Sequence, residues 1–171
     1  MIKIYFTKLK PNAIIPTKNI ENAGYDIYPC FDESYLIVYP QQTIAIPTGI
    51  ASAVENDYCF ILKERSSTGV KGIAQRSGVV DSGYRGEWFV PITNTTNKPI
   101  IIVKKDYNLA EIQVKLGIPI NNCIIQSYES AICQALLIPV PKTEIIEVTL
   151  NELNKFESKR GINCLGSTDK F

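Results

Sequence analysis

Short runs of apolar and β-branched residues, separated by Pro, Gly and Asn, dominate this sequence and constrain its fold more than any other feature. Tyr, Ile and Val supply most of the runs, and several alternate in polarity. Runs of this length and spacing are typical of the short strands of a sandwich or barrel, so we predict an all-β fold. The predicted strands are Ile2 to Phe6, Tyr35 to Tyr39, Thr43 to Ile46, Tyr58 to Leu62, Trp88 to Thr93, Ile100 to Val103, Ala135 to Val140 and Glu144 to Thr149.

Helical periodicity is scarce. Ser66 to Gly72 is short and broken by Gly, and Thr149 to Lys155 has room for one turn. Ile124 to Leu137 fits either a helix or two strands, and Pro139 and Pro141 favour a strand at its C-terminal side.

The chain has 171 residues, which suits one domain with a core of its own. We predict a β domain over residues 1–156 and a polar, Gly-containing arm over residues 157–171 that lacks regular structure by itself. The start of the chain contains neither a long apolar run nor a small-residue cleavage site. We therefore predict no signal peptide, no membrane span and a cytoplasmic location, or the cytoplasm or nucleus of a host cell if the source is viral.

Charge and residue usage exclude several classes of chemistry. The net charge is +1, so nothing indicates a broad surface for nucleic acid or membrane, and an anionic ligand needs a local site. Histidine is absent, which removes His-based triads and leaves acid–base chemistry to carboxylates, Lys, Tyr or Cys. The 5 cysteines are widely spaced without a CxxC pair, so we predict reduced thiols and neither a zinc site nor a disulfide framework.

Gly78 to Gly86 is the most informative candidate site. Two valines followed by Asp-Ser-Gly predict a strand that enters a tight turn, where Gly83 is free to take positive φ. A carboxylate held at such a turn, Asp81, can accept a proton from an attacking water. The alternative is that Asp81 only caps the turn.

Two further segments carry anion donors. Arg65 to Gly69 places an Arg and hydroxyls at a strand-to-turn junction, where backbone N–H groups can also face phosphate. The alternative is an ordinary turn, since Ser and Thr clusters often start turns. Arg160 to Thr168 places Arg, Ser and Thr in the C-terminal arm, where they suit a triphosphate or form a plain solvated tail. Ala23 to Tyr28 contains Asp26 and is by itself equally consistent with a turn.

In this order, the four segments resemble motifs of the homotrimeric dUTPase family. Ala23 to Ile27 resembles the first motif, Arg65 to Gly69 the second, Gly78 to Gly86 the third and Arg160 to Thr168 the fifth. The resemblance spans nearly the whole chain.

The fourth motif of the family ends in Ile-Ala-Gln and has two candidates here. Ile132 to Gln134 fits better, because its separation from Arg160 is about that usual in the family, and Glu111 to Gln113 is the alternative. With Gln134 as the motif residue, residues 104–126 would contain an insertion.

The resemblance implies a distorted jelly-roll of strands and a homotrimer with three shared active sites, over which the C-terminal arms of neighbouring subunits close. It also implies hydrolysis of dUTP to dUMP and pyrophosphate with Mg²⁺ as cofactor. This reaction limits uracil in DNA and supplies dUMP for thymidylate synthesis.

The resemblance also implies a role for each matching residue. Asp81 would be the general base that activates water for attack on the α-phosphorus, and Tyr84 would lie under the deoxyribose, where a ribose 2′-hydroxyl would clash. Asp26 and Gln134 would hold the metal through water. The other implied substrate contacts are Gln75, Gly78, Val79 and Val80 with the uracil, and Arg65, Ser66, Ser67, Arg160, Gly166, Ser167 and Thr168 with the phosphates.

Two departures from the family pattern have structural consequences. Leu165 stands where the family often has a Phe over the uracil, and it can cover a base but stacks less well than a ring. Trp88 or Phe89 would supply the missing ring. Glu64 stands where Pro is common, and since a negative charge beside a phosphate site is unfavourable, we predict that its side chain points away.

Two other functions fit the same fold. A dCTP deaminase shares the second and third motifs, but Pro91 occupies the position of its catalytic Glu. A non-catalytic regulatory protein would keep the fold without the activity, and the predicted insertion would then bind a host or regulatory protein partner. Intact Asp81, Tyr84 and Arg160 favour the enzyme.

Overall fold

The computed structural model describes residues 1–76 and 78–162. The chain divides into two compact units, Met1–Pro141 and Lys142–Phe171. The predicted boundary between the β domain and the C-terminal arm lies after residue 156, whereas the first compact unit ends at Pro141. Among the described residues, no helix is both long and apolar enough to cross a membrane.

The first unit is built mainly from strands, as predicted for an all-β fold. Its two helices are short, α1 (Ser66–Gly69) and α2 (Leu109–Leu116). The strands are β1 (Ile4–Lys8), β2 (Gly24–Ile27), β3 (Tyr35–Val38), β4 (Thr43–Pro47), β5 (Ile50–Val54), β6 (Tyr58–Lys63), β7 (Ile73–Gln75), β8 (Val79–Val80), β9 (Phe89–Asn94), β10 (Ile100–Val103), β11 (Ile124–Ser127) and β12 (Cys133–Pro139).

Strands that are distant in sequence are neighbours in the sheets. The described strands form four sheets, with orders β2-β12-β6-β8, β4-β9-β7, β11-β10-β3 and β1-β5. Every pair is antiparallel except β10 with β11. Because β12 lies between β2 and β6, it brings the segments that resemble the first, second and fourth motifs to one place.

The main core is apolar and contains the only tryptophan. Trp88 is 1% exposed, and its ring centroid lies 5.5 Å from that of Phe6 and 5.0 Å from that of Phe60, both edge-on. The alternative in which Trp88 covers a bound base is therefore wrong, because its side chain is buried in the core. Phe89, the next residue, is exposed.

Residues 104–126, the predicted insertion, contain a crossover between two parallel strands. The chain leaves β10, forms α2 and a 3₁₀ turn at Ile120–Asn122, and returns as β11 beside β10. Ile112 of α2 is fully buried against Ile101 and Val103 in a second, smaller core. The segment is therefore a folded element with its own apolar contacts.

The structure decides the secondary structure of three segments towards the C-terminus. Ile124 to Leu137 forms two strands, β11 and β12, so the helical alternative is wrong. The strand predicted for Glu144 to Thr149 is also wrong: Ile145 is 95% exposed, and the segment has no ladder partner among the described residues to satisfy a strand's backbone. The turn predicted for Thr149 to Lys155 is confirmed by α3 (Leu150–Leu153), which Thr149 and Glu152 cap reciprocally.

Candidate active site

A polar cavity of about 530 Å³ opens at the C-terminal end of β6. Side chains from β2, β12 and the start of α1 meet there. Five of the predicted site residues line it: Asp26, Arg65, Ser66, Ser67 and Gln134. Prediction from sequence missed Glu21 and Asn22, which also line the cavity and whose polar side chains directly precede the first motif.

Strand pairing fixes the position of Asp26 relative to Arg65. Asp26 of β2 lies opposite Gln134 of β12, and Gln134 in turn lies opposite Lys63 at the end of β6. Arg65 follows two residues later, and its Nε lies 3.2 Å from Asp26 Oδ1. Arg65 Nη1 also donates to the carbonyl of Ala131 at 3.2 Å, so the guanidinium is held from two sides.

Of the two candidates for the fourth-motif glutamine, only Gln134 lines this cavity. Its Nε2 donates to the carbonyl of Glu64 at 2.9 Å, and a Cβ at Gly24 would lie 2.5 Å from its Oε1, so a larger residue at position 24 would displace the Gln134 amide. Gln113 lies instead in α2, where its Oε1 accepts from the Ile120 N–H at 3.3 Å.

The short helix α1 exposes two serine hydroxyls at the cavity, whereas its threonine hydroxyl forms hydrogen bonds within the turn. Thr68 is buried, and its Oγ1 donates to the Arg65 carbonyl at 2.9 Å and accepts from the Arg65 N–H at 3.1 Å. Ser66 and Ser67 are exposed at the cavity wall. The turn thus leaves two hydroxyls beside one guanidinium, an arrangement suited to phosphate oxygens.

Glu64 points away from the cavity, as predicted. Its carboxylate Oε1 accepts from the backbone N–H of Gln75 at 3.2 Å, on β7. The negative charge of Glu64 therefore does not line the wall beside Ser66 and Ser67.

Asp81 lies outside the cavity. Val80 pairs with Phe60, so the next residue, Asp81, lies beside Cys59, whose thiol pKa is raised by burial and, to a smaller degree, by the charge of Asp81. Six residues separate Cys59 from Arg65 along β6 and its extension, which corresponds to roughly 20 Å. One chain therefore does not bring Asp81 and Arg65 together.

The turn that follows Asp81 is held by side chain to backbone hydrogen bonds. Arg85 Nη1 donates to the carbonyls of Ser82 at 2.6 Å and Tyr84 at 3.0 Å, and Tyr84 Oη donates to the carbonyl of Glu87 at 2.9 Å. A Cβ at Gly86 would lie 2.4 Å from Tyr84 Oη, so a larger residue there would displace the ring. Asp81 and Tyr84 are both exposed.

The loop between β7 and β8 carries the predicted uracil contacts. Gln75 ends β7, and its Nε2 donates to the carbonyl of Arg76 at 2.8 Å. Gly78 accepts from the Leu62 N–H at 2.7 Å, Val79 is exposed and Val80 is buried. Gly78 is thereby bound to the end of β6.

The arm residues are only partly described. Arg160 is exposed in the second unit. Leu165, Gly166, Ser167 and Thr168 lie outside the described residues, so their roles stay predictions.

Cys133 is buried directly beside the cavity. Burial raises the pKa of its thiol to about 12, with smaller contributions from the charges of Asp26 and Glu64. The thiol is therefore neutral at physiological pH and is no nucleophile. The described cysteines Cys30, Cys59, Cys123 and Cys133 are all free.

The sequence profile of the dUTPase family matches residues 10–115. The chain belongs to the dUTPase family. The resemblance read from the ordered motifs is thereby confirmed.

Two of three relatives of this dUTPase family member align over nearly its whole length, and the third aligns over part of it. The deoxyuridine 5′-triphosphate nucleotidohydrolase of Nautilia profundicola is 31% identical over 99% of this chain and 100% of its own. The protein of the same name from the Wolbachia pipientis of Culex pipiens is 29% identical over 99% of this chain and 97% of its own. The one from Leptospira interrogans is 36% identical over 59% of this chain and 72% of its own.

Solved structures of phage dUTPases share the fold. The dUTPase of Staphylococcus bacteriophage 80alpha with dUPNHPP has a TM-score of 0.72 at 24% identity and covers 98% of this chain and 99% of its own. A mutant dUTPase of phage phi11 of S. aureus, which coordinates a structural Mg(II) ion, has a TM-score of 0.63 at 20% identity over 85% of this chain and 96% of its own. These likenesses confirm the all-β fold.

Proposed function

We propose that this chain hydrolyses dUTP to dUMP and pyrophosphate. Membership of the dUTPase family and the relatives that align end to end support the reaction. The location of the phosphate site is supported by the cavity at the end of β6, where Arg65, Ser66 and Ser67 lie beside Asp26. A guanidinium with neighbouring hydroxyls suits the oxygens of a triphosphate.

The complete site is proposed to form between copies of the chain, in a homotrimer. The phosphate cavity and Asp81 lie roughly 20 Å apart in one copy, a distance that no side chain spans. Asp81, Tyr84 and Val79 are exposed, so they are available to the cavity of a neighbouring subunit. The trimeric assembly typical of the family supports this arrangement.

In the proposed reaction, the Asp81 carboxylate accepts a proton from water as the water oxygen bonds to the α-phosphorus. The bond between the α-phosphorus and its bridging oxygen breaks, and the electron pair leaves with pyrophosphate. Arg65 of the neighbouring copy stabilises the charge that develops on the phosphate oxygens. The hydrogen bonds of Arg85 hold the turn, so Asp81 needs little reorganisation.

The donor set of the cavity fits a magnesium ion that is coordinated mainly by phosphates and water. Asp26 contributes a carboxylate and Gln134 an amide oxygen, both proposed to act through bound water. No group of three or more His, Cys, Asp or Glu side chains able to hold a metal occurs within residues 1–76 and 78–162. Magnesium usually keeps several waters, and when bound it neutralises charge on the triphosphate.

Recognition of the sugar and base is assigned to the exposed side of the Asp81 turn. Tyr84 would pack under the deoxyribose, because its ring is fixed over Gly86 and bonded to the Glu87 carbonyl. Phe89, exposed on β9, would cover the uracil in place of the buried Trp88. The backbone of Gly78, Val79 and Val80, with Gln75, would contact the uracil edge.

The C-terminal arm is proposed to close over the β- and γ-phosphates. Arg160 supplies a guanidinium, and the arm also carries Leu165, Gly166, Ser167 and Thr168. An Arg with hydroxyls and a glycine backbone can enclose the end of a triphosphate.

Pyrophosphate release from dUTP, dCTP, dTTP and UTP with magnesium tests the proposal, with Asp81→Asn as its control. We expect rapid turnover of dUTP alone and a nearly inactive control. Release of ammonia from dCTP would support a deaminase instead, and a folded trimer without turnover would support a non-catalytic binding protein. Pro91 argues against deamination, since it has no proton-transferring side chain and is paired with Ala45 within a sheet.

A further inference from the structure

Glu64 contacts both halves of the candidate site. It follows β6 and directly precedes Arg65. Its carbonyl accepts from Gln134 Nε2 at 2.9 Å, at the phosphate cavity. Its side chain extends the other way, where Oε1 accepts from the Gln75 N–H at 3.2 Å.

The described residues on either side of position 77, in the connection between β7 and β8, are anchored separately. Gln75 is the last residue of β7, and Gly78 precedes β8. The Gly78 carbonyl accepts from the Leu62 N–H at 2.7 Å, so the far side of the loop is bonded to the backbone of β6. On the near side, the Glu64 carboxylate bonds to the Gln75 N–H.

We infer that Glu64 is a positioning residue for base recognition, a role that rests on the proposed function. The Arg76 N–H bonds to the Pro91 carbonyl at 2.8 Å on β9. The Glu64 carboxylate holds the Gln75 N–H on the other side, so Glu64 orients Gln75, the proposed uracil contact. Glu64 itself does not line the phosphate cavity. In the proposed trimer, this residue therefore joins the phosphate cavity of one site to the base-contacting loop of the next.

Glu64 acts through its hydrogen bond to the Gln75 N–H and not through its charge. Lys63 Nζ is 4.0 Å from Glu64 Oε2, and the Glu64 side chain is 36% exposed, so solvent screens the ion pair. A glutamine keeps an acceptor oxygen at the same reach. An aspartate keeps the charge but is one methylene too short.

Three substitutions separate the hydrogen bond from the charge: Glu64→Gln, Glu64→Asp and Glu64→Ala. Base contacts contribute to both the ground state and the transition state, so their loss raises KM and leaves kcat nearly unchanged. We expect Glu64→Asp and Glu64→Ala to raise KM for dUTP about tenfold and to lower the preference for dUTP over dCTP, while Glu64→Gln stays within about twofold of wild type. Lys63→Ala, which removes the ion pair alone, should match wild type.

Wild-type KM in Glu64→Asp, or equal impairment in Glu64→Gln and Glu64→Asp, would overturn the inference while leaving the proposed function intact. Absence of dUTP turnover in the wild-type protein would instead reject the proposed function, and the inference with it. Amide exchange at Gln75 checks the contact directly. It should be faster in Glu64→Asp than in Glu64→Gln, and equal rates would contradict the inference even if Glu64→Ala fails to fold.

Discussion

Arg65 and Asp26 form an ion pair at the cavity, with 3.2 Å between guanidinium Nε and carboxylate Oδ1. Their side chains are 33% and 37% exposed, so water screens the pair and its contribution to stability is small. The ion pair matters more for geometry than for stability, because it orients the Arg65 guanidinium before a phosphate binds. Its second bond, to the Ala131 carbonyl, limits rotation of the guanidinium.

Arg65→Lys should weaken phosphate binding although it keeps the charge. A lysine has no planar fork, so it cannot bond Asp26, the Ala131 carbonyl and a phosphate in the same geometry. We expect kcat/KM for dUTP to fall about tenfold to a hundredfold, which corresponds to the loss of one or two charge-assisted hydrogen bonds. Steady-state kinetics measures the effect, and an unchanged Tm would show that the fold is preserved. Wild-type kinetics would argue against phosphate contact by Arg65.

Two inactive variants should restore activity when they are mixed. Asp81→Asn removes the proposed base and should lower kcat about a thousandfold, and Arg65→Ala removes the proposed phosphate ligand. If each site takes Asp81 from one copy and Arg65 from another, mixed trimers contain some sites with both residues intact.

The mixing experiment consists of joint unfolding and refolding of the two variants, followed by measurement of pyrophosphate release. Activity well above that of either variant refolded alone is the expected result. No recovery in trimers shown to contain both variants would place both residues in one chain's site.

Gly86→Ala and Gly83→Ala form a matched pair at the Asp81 turn. A Cβ at Gly86 would meet the Tyr84 hydroxyl at 2.4 Å, whereas a Cβ at Gly83 meets no atom within 4 Å. Gly86→Ala should displace the Tyr84 ring and lower the preference for dUTP over UTP about tenfold, because the ring would no longer exclude the 2′-hydroxyl. Competition assays with UTP measure this ratio, and Gly83→Ala should leave it unchanged. A similar loss in both variants would show that the ring position is irrelevant.

Alkaline pH should destabilise the fold through Cys133. Burial raises the pKa of this thiol from 9.0 to about 12, so the native state holds its proton more tightly than the unfolded chain does. The stabilisation is complete below pH 9 and is lost as pH rises from 9 towards 12. Denaturant unfolding should show the free energy of unfolding falling by up to about 1.4 kcal/mol per pH unit in this interval, relative to the slope in Cys133→Ala. Equal slopes would contradict the burial of the thiol.

The strands were largely predictable because their signal is local. Ile100 to Val103 was predicted with the bounds that β10 has, since four β-branched residues between Pro and Lys leave little choice. Glu144 to Thr149 has a similar composition but forms no strand, because strand formation also needs a partner, which composition does not reveal. The helix α2 was not predicted, because its short run of apolar residues resembles the apolar runs of the strands that dominate the sequence.

The meeting of Asp26, Arg65 and Gln134 was foreseen only through the resemblance to the family. Their contact depends on the register of β12 between β2 and β6, and a shift of one residue would turn Gln134 to the opposite face. Sequence spacing does not specify that register. The burial of Trp88 follows the period of two, since Trp88, Val90 and Ile92 face the core while Phe89 faces outward, and the prediction of Trp88 as a base cover overlooked this alternation.

The distance along β6 between Cys59 and Arg65 has a consequence for how the enzyme responds to concentration. In an isolated subunit, Asp81, the proposed base, and Arg65, the proposed phosphate ligand, lie beside opposite ends of one strand. Specific activity should therefore fall on dilution as subunits separate, and rise again with protein concentration or when substrate bridges the contact between them.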